Sequence, residues 1–180
     1  MPATTSHPRR RGLLRRWRRS TSGATAVEFA MLFVLFMGIL AAVLDTAIMY
    51  FAAASLDASV RNASRLIRTG QAQTSGMTAD AFKKRICSGV AGAFGCDKEL
   101  YVRVSVVSMF ADANLGTPIV DGQLSGSGAY SLGNAGDIVV VQAYLPWDPI
   151  FNVLAYATPK LSDGRTVIAS TAAFRNEPFN

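Results

Sequence analysis

Few residues of this chain have the types and spacing that active-site chemistry requires. The 180 residues contain one histidine, His7, and two cysteines, Cys87 and Cys96. The only histidine lies in the N-terminal tail, which argues against a Ser-His-Asp triad, and a multi-histidine metal site needs more histidines than the chain supplies. The sequence also lacks a G-x-S-x-G, a P-loop and an H-E-x-x-H motif, and its aspartates do not follow calcium-loop spacing. The sequence therefore predicts a protein that is not an enzyme and that needs no metal or other cofactor.

The positive charge of the chain is concentrated at its N-terminus. Seven of the 18 basic residues lie within residues 1–22, which contain no acid, and this leaves 11 basic against 12 acidic residues in the rest. The pI of about 9.7 is therefore a property of the tail and does not by itself indicate a nucleic-acid partner. Basic residues that directly precede an apolar segment are typical of contact with anionic lipid and of a cytoplasmic N-terminus.

An apolar stretch follows the tail and has the length of a membrane span. Residues 24–44 are apolar except for Thr25 and Glu28, and 21 residues in a helix extend roughly 31 Å, the thickness of the hydrocarbon core of a bilayer. A buried core helix would be unusual in so small a domain. A cleaved secretory signal has a shorter apolar core and a small-residue cleavage site. A twin-arginine signal is hinted at by Arg10-Arg11, but further arginines follow. A retained anchor, with the body across the membrane, fits best.

Glu28 is the one carboxylate within this stretch. A charge at the centre of a bilayer costs roughly 2.5–3.5 kcal/mol, so such residues usually have a role. Glu28 is near the cytoplasmic edge, about one turn into the helix. Two interpretations stay open from the residues alone: a side chain that reaches the headgroups, and a functional carboxylate.

The sequence around Glu28 resembles the class III signal of type IV pilin-like proteins, and specifically that of TadE-type pseudopilins of the tight-adherence (Tad, or Flp) pilus system. The matching residues are Ser22, Gly23, Ala24, Thr25, Ala26, Val27, Glu28, Phe29 and Ala30. The resemblance implies that a prepilin peptidase cuts between Gly23 and Ala24, which places Glu28 and Phe29 at mature positions five and six. It extends through the helix to about Arg68 and, more loosely, to residues 86–88, 136–141 and 172–179.

This resemblance implies a minor pilin or pseudopilin that primes or regulates assembly of a Tad pilus. Its partners would be the prepilin peptidase, other pseudopilins, the inner-membrane assembly platform, the major Flp pilin and membrane lipid. The chain would cross the bacterial inner membrane once, with a periplasmic C-terminal domain. Glu28 would meet the amino group of a neighbouring subunit, and an unpaired buried charge would penalise any slip in register. Phe29, where the major pilin typically has tyrosine, favours a pseudopilin.

The same resemblance implies an α+β, type IV pilin-like fold in which a long N-terminal helix packs on a small antiparallel sheet. The expected divisions are a basic leader at 1–23, a helix at 24–69 with its transmembrane part at about 24–46, and a periplasmic domain at 70–180. Leu56, Val60, Ala63 and Ile67 recur at helical spacing and predict a buried face. Polar residues are expected on the other side: Asp57, Arg61, Asn62, Ser64, Arg65 and Arg68.

The remaining pattern predicts one short helix and three strands. Thr78 is expected to cap a helix at 79–88, and the strands are expected at 100–107, 137–145 and 165–174. The Gly-rich segment 111–136 is expected to be a flexible surface excursion, with a functional loop as the alternative. The apolar segment 147–156 is expected to be a connection that covers the sheet, with a docking face as the alternative.

Cys87 and Cys96 are expected to form a disulfide, since the periplasm is oxidising. The loop that they close is short, and a stabilisation of roughly 2–3 kcal/mol follows from the chain-entropy estimate. A redox pair is disfavoured because the spacing is not C-x-x-C. Outside the pilus system, the alternative function is an uncleaved bitopic sensor or binding protein that reads a ligand through its Gly-rich loop. Cleavage at Gly23 distinguishes the two, because a sensor keeps its cytoplasmic tail.

Overall fold

A computed structural model of the chain describes residues 23–90, 95–113, 116, 118–124, 128–149 and 161–179. The chain divides into two compact units, Met1–Ala41 and Ala42–Asn180. The basic tail, and the part of the predicted connection at 150–156, lie outside the described residues.

The longest element is helix α1, Ala24–Arg68, which has 45 residues. It ends as the sequence predicts, because Gly70 has a φ of 77° and takes the left-handed conformation that closes many helices. Two short helices lie on either side of a longer one: α2, Gln71–Thr74, comes before helix α3, Ala79–Gly89, and α4, Cys96–Glu99, comes after it. Helix α3 confirms the predicted helix and its cap, since the Ala81 amide donates to Thr78 Oγ1 at 3.3 Å.

Three antiparallel strands confirm the predicted α+β architecture. They are β1, Tyr101–Val107, β4, Ile138–Trp147, and β5, Thr166–Arg175, in the order β1-β4-β5. The central strand β4 is buried along nearly its whole length, which explains why it is apolar apart from Gln142. A small hairpin is formed by β2, Ile119–Val120, and β3, Gln123–Leu124. Its turn residues Asp121 and Gly122 both have positive φ, as a tight hairpin turn requires.

The core of the second unit is one hydrophobic cluster that joins α1, α3, β1 and β4. Helix α1 contributes the predicted buried face, and Ala52 extends it by one turn. Ser64 was expected on the polar side of the helix, and this prediction is wrong: the residue is buried. Its position directly after Ala63 keeps it at the border of the face that packs on the sheet.

Strand β4 continues beyond the predicted end at Leu145 through Pro146 and Trp147. Strand β1 pairs with β4 only as far as Tyr144, whereas β5 pairs with Pro146 and Trp147. Beyond Tyr144, β4 is therefore itself an edge strand, where the missing amide hydrogen of a proline is tolerated. Trp147 belongs to the core cluster, in agreement with the preferred interpretation of that segment as core.

The Gly-rich segment was expected to be a flexible surface excursion, and most of residues 128–136 do lie at the surface, but their backbone pairs with β1. Val104 accepts from Ser131 and donates to Ala129 through its backbone, at 3.0 and 2.7 Å, in a parallel bridge centred on Tyr130. The Tyr130 hydroxyl donates to Met77 O at 3.0 Å, and burial raises the pKa of this hydroxyl. The segment is fixed because its apolar side chains complete the core beside β1.

The residues after β5 are tied back to the end of α1. The Glu177 amide donates to Arg68 O at 2.8 Å, and the Glu177 carboxylate pairs with Arg68 Nε at 3.2 Å. The Asn176 side chain donates to the carbonyls of Leu132 and Asn134, each at 3.0 Å. These contacts connect the end of α1, the segment after Tyr130 and the end of the sheet.

Candidate functional site

The predicted cleavage motif lies at the start of α1 and is open to solvent. Gly23, Ala24, Glu28 and Phe29 are all exposed. A Cβ added at Gly23 would meet no described atom within 4 Å, so no group of the described residues covers this backbone. A processing enzyme needs such access to the bond that it cuts, and Gly23 supplies it at the first residue before the helix.

Glu28 and Phe29 differ in what they contact. Phe29 packs on Phe33, one turn further along, with ring centroids 5.7 Å apart. Glu28 makes no ion pair with any residue of the described ranges. A carboxylate within an apolar stretch that has no partner among the described residues needs one elsewhere, or contact with water or headgroups.

The first part of α1 exposes its apolar side chains on all sides. The most apolar 18-residue window of the helix has a mean hydropathy of 2.6, and none of it is buried. A core helix would bury this surface, so the structure does not support that alternative. Such a helix suggests a membrane anchor, because a bilayer covers apolar side chains on every face of a helix. The large side chains concerned include Met31, Leu32, Phe33, Val34, Leu35, Phe36, Ile39 and Val43.

The two cysteines are joined in the pairing expected from the sequence. The disulfide links Cys87, near the end of α3, to Cys96, at the start of α4, and both residues are buried in the core cluster. It closes the segment that contains residues 91–94, which lie outside the described ranges. This placement gives the disulfide a structural role in holding α3 to α4.

A further site was not predicted: a groove of about 430 Å³ between the last two turns of α1 and strand β5. The helix lines it with Arg61, Arg65 and Arg68 and with Ser64, and the strand lines it with residues 171–174. The three arginines were interpreted as an exposed polar face of the helix. Their spacing of four and then three residues was the available signal, because it puts them on one side of the helix.

The charges of this groove are only partly compensated. Arg61 pairs with Asp57 at 2.5 Å, and Arg68 pairs with Glu177. Arg65, between them, pairs with no acidic residue in the described part of the chain. Ser64 Oγ is buried within the domain and is not presented to the groove. The groove therefore offers one cation, Arg65, that has no acidic partner among the described residues.

Two further ion pairs of the second unit share Arg165 and stabilise the turn directly before β5. Arg165 pairs with Glu99 and with Asp163, whose Oδ2 lies 2.7 Å from Arg165 Nε. Hydrogen bonds from the Arg165 backbone and side chain lower the pKa of Asp163. Within the described ranges, no three His, Cys, Asp or Glu side chains are close enough together to hold a metal ion.

Comparison with known proteins gives one match. The family model described as TadE-like protein matches residues 23–65, which begin at Gly23 and include both the exposed and the buried parts of α1. This match confirms the resemblance to TadE-like proteins over that segment. No curated protein and no solved structure matches the chain.

Proposed function

We propose, from the TadE-like segment at residues 23–65, that the protein is a membrane-anchored minor pilin or pseudopilin that primes or regulates assembly of a Tad pilus. The observation that carries this proposal is the exposed Gly23–Ala24 junction directly before an apolar helix surface that the described residues leave uncovered. A processing site and a span that stays with the processed protein are both needed for such a role.

The proposed maturation is hydrolysis by a prepilin peptidase of the peptide bond between Gly23 and Ala24. The cut removes the arginine-rich leader and creates an α-amino group at the start of α1. The Glu28 carboxylate of one copy then pairs with the Ala24 amino group of a neighbouring subunit. In a medium of low dielectric constant this pair favours one axial register, since any other leaves two charges unpaired.

The proposed location is the bacterial inner membrane, with the leader in the cytoplasm and the domain 70–180 in the periplasm. The arginines before the helix support this orientation. The Cys87–Cys96 disulfide supports it as well, because such bonds persist in oxidising compartments. The proposed partners are the prepilin peptidase, other pseudopilins, the assembly platform and the major pilin, and we propose no enzymatic activity.

The experiment that tests this function is the intact mass of the membrane-extracted protein from its native host, with and without the prepilin peptidase. We expect a chain that begins at Ala24 only when the peptidase is present. Gly23→Ala should block processing, whereas Gly38→Ala should not. The two glycines are a matched pair, because neither has an atom within 4 Å of an added Cβ.

A chain that begins at Met1 in both hosts would contradict the proposal. That result would favour the alternative, an uncleaved bitopic sensor or binding protein. Processing of Gly23→Ala at the normal position would contradict the role assigned to Gly23 and would leave the site of the cut to be mapped by the same mass measurement.

A further inference from the structure

The arginine groove of the second unit has the features of a binding site for an extended chain. One wall is the helix segment with Arg61, Arg65 and Arg68, and the other is residues 171–174 of strand β5. Among the described strands, β5 pairs with β4 alone, so no described residue pairs with its second edge. An open edge offers backbone amides and carbonyls to which an extended segment can add as a further strand.

The spacing of the cations matches that of alternate residues in a strand. Arg61 and Arg65 are four residues apart on α1, a rise of about 6 Å. Side chains on one side of an extended segment recur about every 6.7 Å. Two carboxylates at alternate positions of a segment paired with β5 can therefore each reach one arginine. Arginine suits this contact, because its planar guanidinium group binds a carboxylate through two hydrogen bonds.

The charge of the groove favours an acidic occupant. Asp57 and Glu177 pair with the arginines at its two ends, Arg61 and Arg68, whereas Arg65 in the middle has no such partner in the described part of the chain. A carboxylate at Arg65 would complete the row, and a second one would compete with the exposed Asp57 for Arg61. An apolar or basic segment would gain nothing from this row.

We propose that the groove between residues 61–68 of α1 and residues 171–174 of β5 binds an extended, acidic segment of a partner protein. The segment adds a strand to the β5 edge and sets its carboxylates against Arg61 and Arg65. This site does not depend on processing at Gly23, so either proposal can fail without the other.

The test uses the purified full-length protein in detergent micelles and a fluorescent peptide with the sequence Glu-Val-Glu-Val-Glu. We expect saturable binding with a Kd below about 1 mM, weakened by added salt. The matched peptide with glutamine at the three acidic positions should bind at least tenfold more weakly. A peptide with methylated backbone amides should also lose binding, because it cannot pair with β5.

Variants of the protein locate the contact. Arg65→Glu should weaken binding of the acidic peptide at least tenfold, whereas Arg85→Glu, an equal change of charge at an exposed position of α3, should leave it unchanged.

Three results would overturn the proposal. One is the absence of saturable binding of the acidic peptide below about 1 mM. Another is equal weakening by Arg65→Glu and Arg85→Glu, which would mean that charge attracts the peptide without a defined site. The third is competition by inorganic phosphate or by anionic phospholipid vesicles that removes all peptide binding in a manner dependent on Arg65. That third result would assign the groove to phosphate groups or to a membrane surface.

Discussion

Helix α1 contains two regions that have the same backbone conformation and opposite surroundings. In the first, residues 29–44, the apolar side chains are spread around the helix and the chain buries almost none of them. In the second, residues 52–67, the apolar side chains form one stripe, and that stripe is fully buried against the rest of the domain. Hydrophobicity alone therefore does not tell where a helix packs; the distribution of apolar residues around it does.

The strongest test of this comparison uses two leucines of the same helix. Leu56 is fully buried and Leu35 is 63% exposed. Leu56→Ala should reduce the free energy of unfolding of the domain by about 2–5 kcal/mol, through lost burial and a residual cavity. Leu35→Ala should change it by less than about 0.5 kcal/mol. Denaturant unfolding in detergent micelles, followed by tryptophan fluorescence, measures both, and equal effects would contradict the division of α1 into two regions.

The disulfide lies in the domain that buries the second region of α1 and has no counterpart beside the first, so breaking it sharpens the contrast. Cys87→Ala/Cys96→Ala should lower the free energy of unfolding by about 2–3 kcal/mol, since the short loop is no longer closed in the unfolded chain. The helical signal of a peptide covering residues 24–44 in micelles provides the reference, because it contains no cysteine. Thermal unfolding with and without a reductant is the measurement. A reductant effect on the double variant would show that something other than this bond is being reduced.

A smaller effect on stability is expected from a comparison of two carboxylates of α1, Asp57 and Glu28. Asp57 accepts a hydrogen bond from the buried Ser170 hydroxyl at 3.0 Å, whereas Glu28 has no partner in the described part of the chain. Asp57→Ala should therefore cost about 1–3 kcal/mol, because Ser170 is left unsatisfied. Glu28→Ala should change stability by less than about 0.5 kcal/mol. On the proposed function it should nevertheless reduce the number of pili on cells, counted by electron microscopy, and a normal count would contradict the proposed role of Glu28.

The smallest expected effect concerns pH. Residues 29–44 contain no ionisable group, so acid sensitivity must come from elsewhere, and Asp163 is one source. Its pKa is lowered in the folded protein by hydrogen bonds from Arg165. It therefore stabilises the fold above its unfolded pKa, and this contribution is lost as the pH falls through the lower, folded value. Thermal unfolding from about pH 6 to pH 3 should show a slightly weaker acid dependence for Asp163→Asn. An unchanged profile would contradict this assignment.

The sequence was sufficient for the elements whose cause is local. The buried stripe of α1, the Thr78 cap, the left-handed Gly70 and the three long strands each follow from a periodicity or a residue type. The position of the segment after Tyr130 did not follow, because its backbone bonds to Val104 join residues that are distant in sequence. The extension of β4 through Pro146 did not follow either, because it depends on β1 ending its pairing at Tyr144 while β5 continues to pair.

The candidate sites divide in the same way. The roles of Gly23 and Glu28 are predictions from a short motif placed between arginines and an apolar helix, and the TadE-like match begins at that glycine. The arginine groove was missed because only the fold brings β5 beside α1. Ser64 was assigned to the polar face of α1 from its residue type, whereas packing in the folded domain buries it.

The second edge of β5, with which no described residue pairs, has a consequence for handling the protein in solution. Two copies could join edge to edge at this strand, which would continue the sheet from one molecule into the next. Because α1 covers one face of the sheet, such a pairing would bring the arginine rows of both copies together, and their like charges would oppose it. Repulsion between the arginines of the two copies then opposes their association, and this repulsion weakens as salt screens the charges. We expect light scattering from a concentrated sample of the second unit to rise with ionic strength, and a decrease would contradict this repulsion.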